Sequence, residues 1–130
     1  MGEYVSSEVI KLMIKKDIRI KSASVLVLGI TFKENCPDVR NTKVIDVISS
    51  LEQYDIKVKV YDPWADEKEV FSQYGIASTK NLPKEKFDCI ILTVSHNEFI
   101  HLDYNLLRKE NSIIYDVKNI LSGAVKDKTL

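Results

Sequence analysis

Residues Gly29 to Arg40 read G-I-T-F-K-E-N-C-P-D-V-R, and their place in the chain decides the fold. Ahead of them Ser24-Val-Leu-Val-Leu28 is patterned as a buried strand, and behind them a helical pattern begins near Thr42. A strand that opens through a loop into a helix is where α/β proteins seat ligands, outside the carboxyl end of the sheet. The loop carries Lys33 and Arg40, cations suited to phosphate or carboxylate, beside the aromatic Phe32. Neither G-x-G-x-x-G nor G-x-x-x-x-G-K-[ST] occurs, so no glycine cradle for phosphates is present. Side chains must supply the anion chemistry, which points to a nucleotide-type ligand held without the usual fingerprint.

Outward from that loop, apolar periodicity alternates between strand and helix. Glu3 to about Lys16 is helical, with Val5, Val9, Leu12 and Met13 on one face. Ser22 to Ile30 is a continuous apolar strand of the kind buried on both faces. Thr42 to about Tyr54 is a helix with Val44, Val47, Ile48 and Leu51 as its stripe and Asn41 or Thr42 as its N-cap. Lys57–Tyr61 is a strand stopped by Asp62-Pro63, because proline cannot join a central ladder. Asp66 to about Tyr74 is a short helix closed by Gly75. Ile76 to Pro83 holds a short strand at most. Phe87–Val94 is a second fully apolar strand, Asp103–Glu110 a short helix, and Ser112–Val117 a last strand. Beyond Leu121 the composition turns polar, and residues 122–130 are expected to fray. The alternation predicts right-handed crossovers and a mainly parallel sheet with helices on both faces, an α/β three-layer Rossmann-like domain over residues 21–121. The first helix, in a segment 1–20, precedes that unit and need not belong to it, and its apolar stripe is expected to drive self-association.

Composition excludes several functions. The chain has 130 residues and 45% hydrophobic content, enough for one core. Nineteen basic and nineteen acidic residues cancel, so no general field favours nucleic acid or an anionic membrane. No apolar run approaches the roughly 20 residues of a membrane span. Glu3, Glu8 and Lys11 interrupt any signal-peptide pattern. Cys36 and Cys89, widely separated, form neither a disulfide framework nor a metal cluster and suit a reducing, cytoplasmic setting. No metal-ligand spacing, paired carboxylates or triad emerges.

F-K-E-N-C-P-D-V-R-N-T-K at Phe32 to Lys43, followed by V-Y-D-P-W-A-D at Val60 to Asp66, resembles the C-terminal domain of the UDP-glucose/GDP-mannose dehydrogenase family. The resemblance is closest to the branch acting on UDP-N-acetylhexosamines, and it runs from M-G-E-Y-V at the start to D-V-K-N-I-L at Asp116 to Leu121. It implies that the chain is the UDP-binding portion of an NAD-dependent UDP-sugar 6-dehydrogenase, a homodimer, with UDP-sugar as substrate and NAD as cofactor. Such an enzyme oxidises the sugar C6 alcohol to a carboxylate in two hydride transfers through a cysteine-bound thioester. The first helix would then be the end of the family's central dimerisation helix, and the chain a piece of a larger protein, inactive alone. The rival expectation is a stand-alone nucleotide-binding or assembly α/β module without catalysis.

The resemblance also implies roles. Phe32 packs on the UDP-sugar and Lys33 reaches a phosphate or ribose oxygen, while Arg40 approaches NAD with a planar fork suited to pyrophosphate. Lys118, in the D-x-[RK] pattern at Asp116, adds a cation near the nucleotide, with Asn119 the alternative. Taken alone, loop cations are more often solvated surface than ligand contacts. The family's nucleophilic cysteine lies upstream of these residues, so Cys36 is expected to be a small loop residue, and no catalytic residue is assigned. His96 with Phe99 resembles the family's H-x-x-[FY] element, and helix capping or loop anchoring is its expected role. Asp62 is expected to serve the turn Y-D-P-W rather than a ribose.

Overall fold

The computed structural model describes residues 2–121 and 128–129. Its elements are α1 (Gly2–Lys15), β1 (Ser24–Leu28), α2 (Val44–Glu52), β2 (Lys57–Tyr61), α3 (Glu67–Tyr74), β3 (Ser78–Thr79), β4 (Phe87–Leu92), α4 (Asn97–Ile100), a single 3-10 turn at Tyr104–Leu106, β5 (Arg108–Asp116) and β6 (Lys128–Thr129). The strands form one sheet in the order β3-β2-β1-β4-β5-β6, and every adjacent pair is parallel. The order steps outward from β1 in both directions. That places β1 and β4 at the centre, where the chain reverses the side on which it builds.

Alternation along the central strands divides the core into two layers. Val25 and Val27 of β1, Ile91 of β4 and Ile113 and Tyr115 of β5 face the side covered by α1 and α2. Leu26, Leu28, Ile90, Leu92 and Ile114 face the other side, where Phe99, Tyr104 and Leu107 cover them. Because both faces are buried, β1 and β4 read as unbroken apolar runs. The expected three-layer domain is observed, with its second face covered thinly by α4 and the 3-10 turn.

Four expectations need correction. The first helix does not stand apart from the α/β unit. Val5, Val9 and Met13 have no exposed surface and join the core shared with α2. Its end is tied to β5, where Lys16 Nζ donates to the Ser112 carbonyl at 2.8 Å and Asn111 Nδ2 donates to the Lys16 carbonyl at 2.8 Å. Each buried side chain of this kind contributes about 1.5–3 kcal/mol, so α1 gains more by folding back than by waiting for a partner.

Second, the helix expected over Asp103–Glu110 is one 3-10 turn followed by strand. Asp103 accepts from the Asn105 N–H, which favours a turn, and Phe87 N–H donates to the Leu107 carbonyl at 2.8 Å, which draws the chain into the β4 ladder. A register shift between Phe87 and Cys89 absorbs the extra residues of β5. Third, α2 begins at Val44. Asn41 is left-handed at φ 57° and does not cap, whereas Thr42 Oγ1 accepts from Val44 N–H at 3.2 Å. Fourth, within the tail expected to fray, Lys128–Thr129 pairs with Tyr115 and Asp116. The remainder of 122–130 lies outside the described residues.

Candidate functional site

β1 ends at Leu28, and the chain turns sharply at Gly29, whose φ is 101°. The turn is close because Thr93, just past β4, holds it from beneath. Its Oγ1 lies 2.9 Å from the Leu28 carbonyl oxygen and 2.7 Å from that of Gly29. The loop that follows is braced along its length. Phe32 N–H donates to the Asp38 carbonyl at 2.7 Å, and Tyr74 of α3 donates its hydroxyl to the Val39 carbonyl at 2.5 Å. The loop is therefore built before any ligand arrives, which lowers the ordering cost of binding.

A buried pair supplies the rest of the bracing. Asp62, just after β2, and His96, following β4, have fully buried side chains, with His96 Nε2 3.0 Å from Asp62 Oδ1. Asp62 Oδ2 accepts from the N–H groups of Ile30 at 2.7 Å and Thr31 at 3.1 Å, and Oδ1 accepts from Trp64 N–H at 2.8 Å. Burial by itself pushes the Asp62 carboxyl up, but the bonds from His96, Ile30 and Trp64 outweigh it and hold it below the ordinary carboxylate range. Its lone pairs are occupied within the protein, as expected of a residue serving the Y-D-P-W turn. His96 sits at the N-cap position of α4 without a side-chain cap bond; of its two expected roles, loop anchoring is the one observed.

On the outer side of this braced loop lies a cavity of about 130 Å³. Thr31, Phe32, Lys33 and Glu34 form one wall, Asn41, Thr42, Lys43 and Val44 the second, and Thr93, Val94 and Lys118 the third. Three loops from the carboxyl ends of β1, β4 and β5 thus converge. Lys118 is delivered by Asp116, whose buried carboxylate accepts from Lys118 N–H at 3.1 Å and Leu121 N–H at 2.8 Å. Lys33, Lys43 and Lys118 are exposed, and none of them closes an ion pair among the described residues. The N-terminus of α2 opens at the same wall, adding the positive end of its dipole. Phe32 is 58% exposed at the rim, an apolar face available for stacking. The arrangement suits a small anion attached to a flat ring.

The structure brings Phe32, Lys33 and Lys118 together, and Asn119 is not on the cavity wall. Arg40 is outside it. Its Nε and Nη2 each lie 3.0 Å from the two Asp38 carboxylate oxygens, and its side chain is 74% exposed. The Arg40 guanidinium pulls the Asp38 carboxyl down to about 2. Cys36 is half-buried off the cavity, and Cys89 is buried in β4. Lys43, Asn41 and Thr42 were missed by sequence reasoning, which spent Asn41 or Thr42 on capping α2 and gave Lys43 no role. The signal available was a lysine just ahead of a helix N-terminus, on the same edge as Lys33. A larger hollow of about 370 Å³ beside α1 and α2 is lined by Glu3 and Asp46 with no cation, so it does not compete for an anion. Among the described residues no group of three His, Cys, Asp or Glu could hold a metal ion, and no helix is long and apolar enough to cross a membrane.

Comparison with known proteins bears on this geometry. Residues 26–123 match the family described as UDP-glucose/GDP-mannose dehydrogenase family, UDP binding domain. The chain is 44% identical over 133 residues to a UDP-N-acetyl-D-glucosamine 6-dehydrogenase of Salmonella typhi, covering 100% of this chain and 31% of that protein. It is 41% identical to the enzyme of the same name from Pseudomonas aeruginosa, covering 100% of this chain and 32% of that one. The structure of a UDP-D-ManNAc dehydrogenase from Pyrococcus horikoshii superposes with a TM-score of 0.74 at 19% identity, over 98% of this chain and 30% of that one, which shows the shared fold. The chain spans about a third of the length of the curated relatives it matches.

Proposed function

The chain belongs to the UDP-glucose/GDP-mannose dehydrogenase family, and on that premise we propose that its cavity binds the UDP part of a nucleotide sugar. One observation carries the reading: Lys33, Lys43 and Lys118 converge on a single cavity at the carboxyl edge of the sheet, beside the N-terminus of α2 and the exposed ring of Phe32. Lysines at this spacing neutralise a pyrophosphate as point charges, and Phe32 offers its face to the base or sugar. The whole protein would then be a nucleotide-sugar 6-dehydrogenase that oxidises a UDP-hexose or UDP-N-acetylhexosamine to its uronic acid in two hydride transfers.

NAD is the cofactor in this reading, and the described residues do not form its cradle. Gly29 is packed against Val94, and the loop after it contains no further glycine, so the backbone cannot wrap a pyrophosphate. Arg40, exposed on the far side of the loop, is the one contact this chain would offer NAD. No cysteine lines the cavity, so the chain is expected to bind and not to oxidise. A homodimer and a cytoplasmic location belong to the same reading. The Val5, Val9 and Met13 stripe is spent inside the core, so a dimer would use other surface, with Tyr4 and Ile14 as the large exposed apolar side chains of α1.

Titration of the ¹⁵N-labelled chain with UDP tests the proposal. Amide shifts at residues 31–34, 42–44 and 117–119 are expected to move together, with a Kd on the order of 0.1 mM or weaker, about 5 kcal/mol. An unchanged spectrum at millimolar UDP overturns it, and self-association without UDP binding would favour an assembly module instead.

A further inference from the structure

The loop that carries Phe32 and Lys33 is held by one imidazole acting in two directions. His96 Nδ1 lies 2.9 Å from Asn35 N, and a backbone N–H can only donate, so Nδ1 is the acceptor. The proton of the neutral ring is then on Nε2. That proton is shared between Asp62 Oδ1 at 3.0 Å, Oδ2 at 3.1 Å and Thr31 Oγ1 at 3.1 Å. Thr31 Oγ1 in turn donates to the Lys33 carbonyl at 3.0 Å. An unbroken chain of hydrogen bonds therefore runs from Asp62 through His96 and Thr31 to the backbone of Lys33. A branch runs from the same ring to Asn35.

The segment needs this restraint. Asn35 is left-handed at φ 54°, a conformation that costs a non-glycine residue energy unless its surroundings impose it. Its Oδ1 accepts from Asn97 N–H at 3.0 Å, a second tie to the turn that bears His96. The ring itself cannot swing. Phe99 lies against one side with centroids 5.3 Å apart, and Trp64 stacks on it at 5.9 Å and 26° while its own Nε1 donates to Glu98 at 3.0 Å. A fully buried ring with both nitrogens bonded and two aromatic neighbours against it is a rigid spacer between β2, α4 and the loop.

We propose that His96 is a positioning residue for the nucleotide site: by accepting from Asn35 N–H it presets residues 31–35 in the shape that aims Phe32 and Lys33 at the cavity, and its bonds to Asp62 and Thr31 serve to orient the ring for that contact. The inference rests on the UDP-binding reading for its ligand, but the geometry it describes exists without one. His96 does not itself line the cavity; it bonds Thr31, which does, and its effect on binding is transmitted through Thr31 and the loop.

Two substitutions separate the two directions of the ring. His96→Asn places an amide oxygen near Nδ1 and can still accept from Asn35 N–H. His96→Gln places an amide N–H near Nε2 and can still donate to Asp62, but leaves Asn35 N–H without its acceptor. UDP affinity, the exchange rate of the Asn35 amide and the unfolding midpoint are measured for the wild-type chain and both variants. His96→Gln is expected to weaken UDP by about tenfold and speed Asn35 exchange, while His96→Asn stays within about threefold of wild type in both, whatever their melting points. Equal affinities in the two variants, or losses that merely follow the unfolded fraction, overturn the proposal. If the wild-type chain binds no UDP, the functional reading fails separately, and Asn35 exchange alone decides: acceleration confined to His96→Gln supports the preset loop, and equal rates sink it. Should His96→Gln not fold, the ¹⁵N spectrum of the wild-type imidazole decides, since a ring protonated on Nδ1 contradicts the arrangement.

Discussion

A methyl group placed on Gly29 would sit 2.5 Å from Cβ of Val94. The two residues follow β1 and β4, the central pair of the sheet, and their contact sets how tightly the loop leaves the strand. Gly29 also has a φ of 101°, which L side chains rarely adopt. Gly29→Ala is therefore expected to destabilise the chain by about 2–5 kcal/mol, combining backbone strain with overpacking. Urea unfolding checks it, and an unchanged midpoint would show that the turn relaxes at little cost.

Cavity lysines and the loop arginine should separate in binding. Lys33→Ala and Lys118→Ala are each expected to weaken UDP by about tenfold, ~1.4 kcal/mol, and Lys43→Ala by a comparable factor, with the loss shrinking as salt rises. Arg40→Ala, outside the cavity and paired with Asp38, should leave UDP binding by this chain within about twofold. In a full-length enzyme the same change should raise KM for NAD more than for the UDP-sugar. Calorimetry and steady-state kinetics read both effects, and equal responses from all four variants would refute the division.

The buried Asp62 carboxylate makes stability depend on acid. Its folded pKa is depressed below the unfolded value, about 3.9, by the bonds that outweigh burial. Its contribution is complete above the unfolded pKa and is lost as pH falls through the folded one. Stability measured in urea should fall between about pH 5 and pH 2 more steeply for the wild type than for Asp62→Asn. Parallel curves would mean that the carboxylate is not the titrating element.

Helix α1 should behave as core. Met13, fully buried, is expected to cost about 2–5 kcal/mol when replaced by alanine. A chain lacking residues 2–16 should lose cooperative unfolding and bind hydrophobic dye, because the apolar surface of α2 is then uncovered. Sedimentation and dye fluorescence on that shortened chain are the check; a well-folded, dye-silent domain would return α1 to the role of an independent appendage.

The strands and the loop at the carboxyl edge of β1 were legible because their signals are local. Val25 to Leu28 and Ile90 to Leu92 are apolar without a break, and Asp66 and Gly75 bracket α3 as cap residues do. The misreadings have equally physical causes. Asp103 to Glu110 has acceptable helix formers, yet the hydrogen-bonding edge of β4 claimed the chain after Leu107, and tertiary pairing outweighs a short helix's weak propensity. The α1 stripe was visible, but periodicity shows that a face is apolar and not which surface covers it.

By itself the sequence determined the α/β alternation and the place of the loop after β1 at the carboxyl edge of the sheet, since residue type and strand position are written along the chain, and its family resemblance singled out Phe32, Lys33 and Lys118 as candidates. Only the tertiary structure decided that Lys43 joins them, that Arg40 faces away in the grip of Asp38, and that α1 belongs to the core. It alone joined Asp62, His96 and Asn35, which lie 27 to 61 residues apart in the chain, into one brace. The reason lies in range. Burial pattern and turn chemistry act over a few residues, whereas a side chain's partner is fixed by which strands lie side by side, and only the folded sheet sets that order.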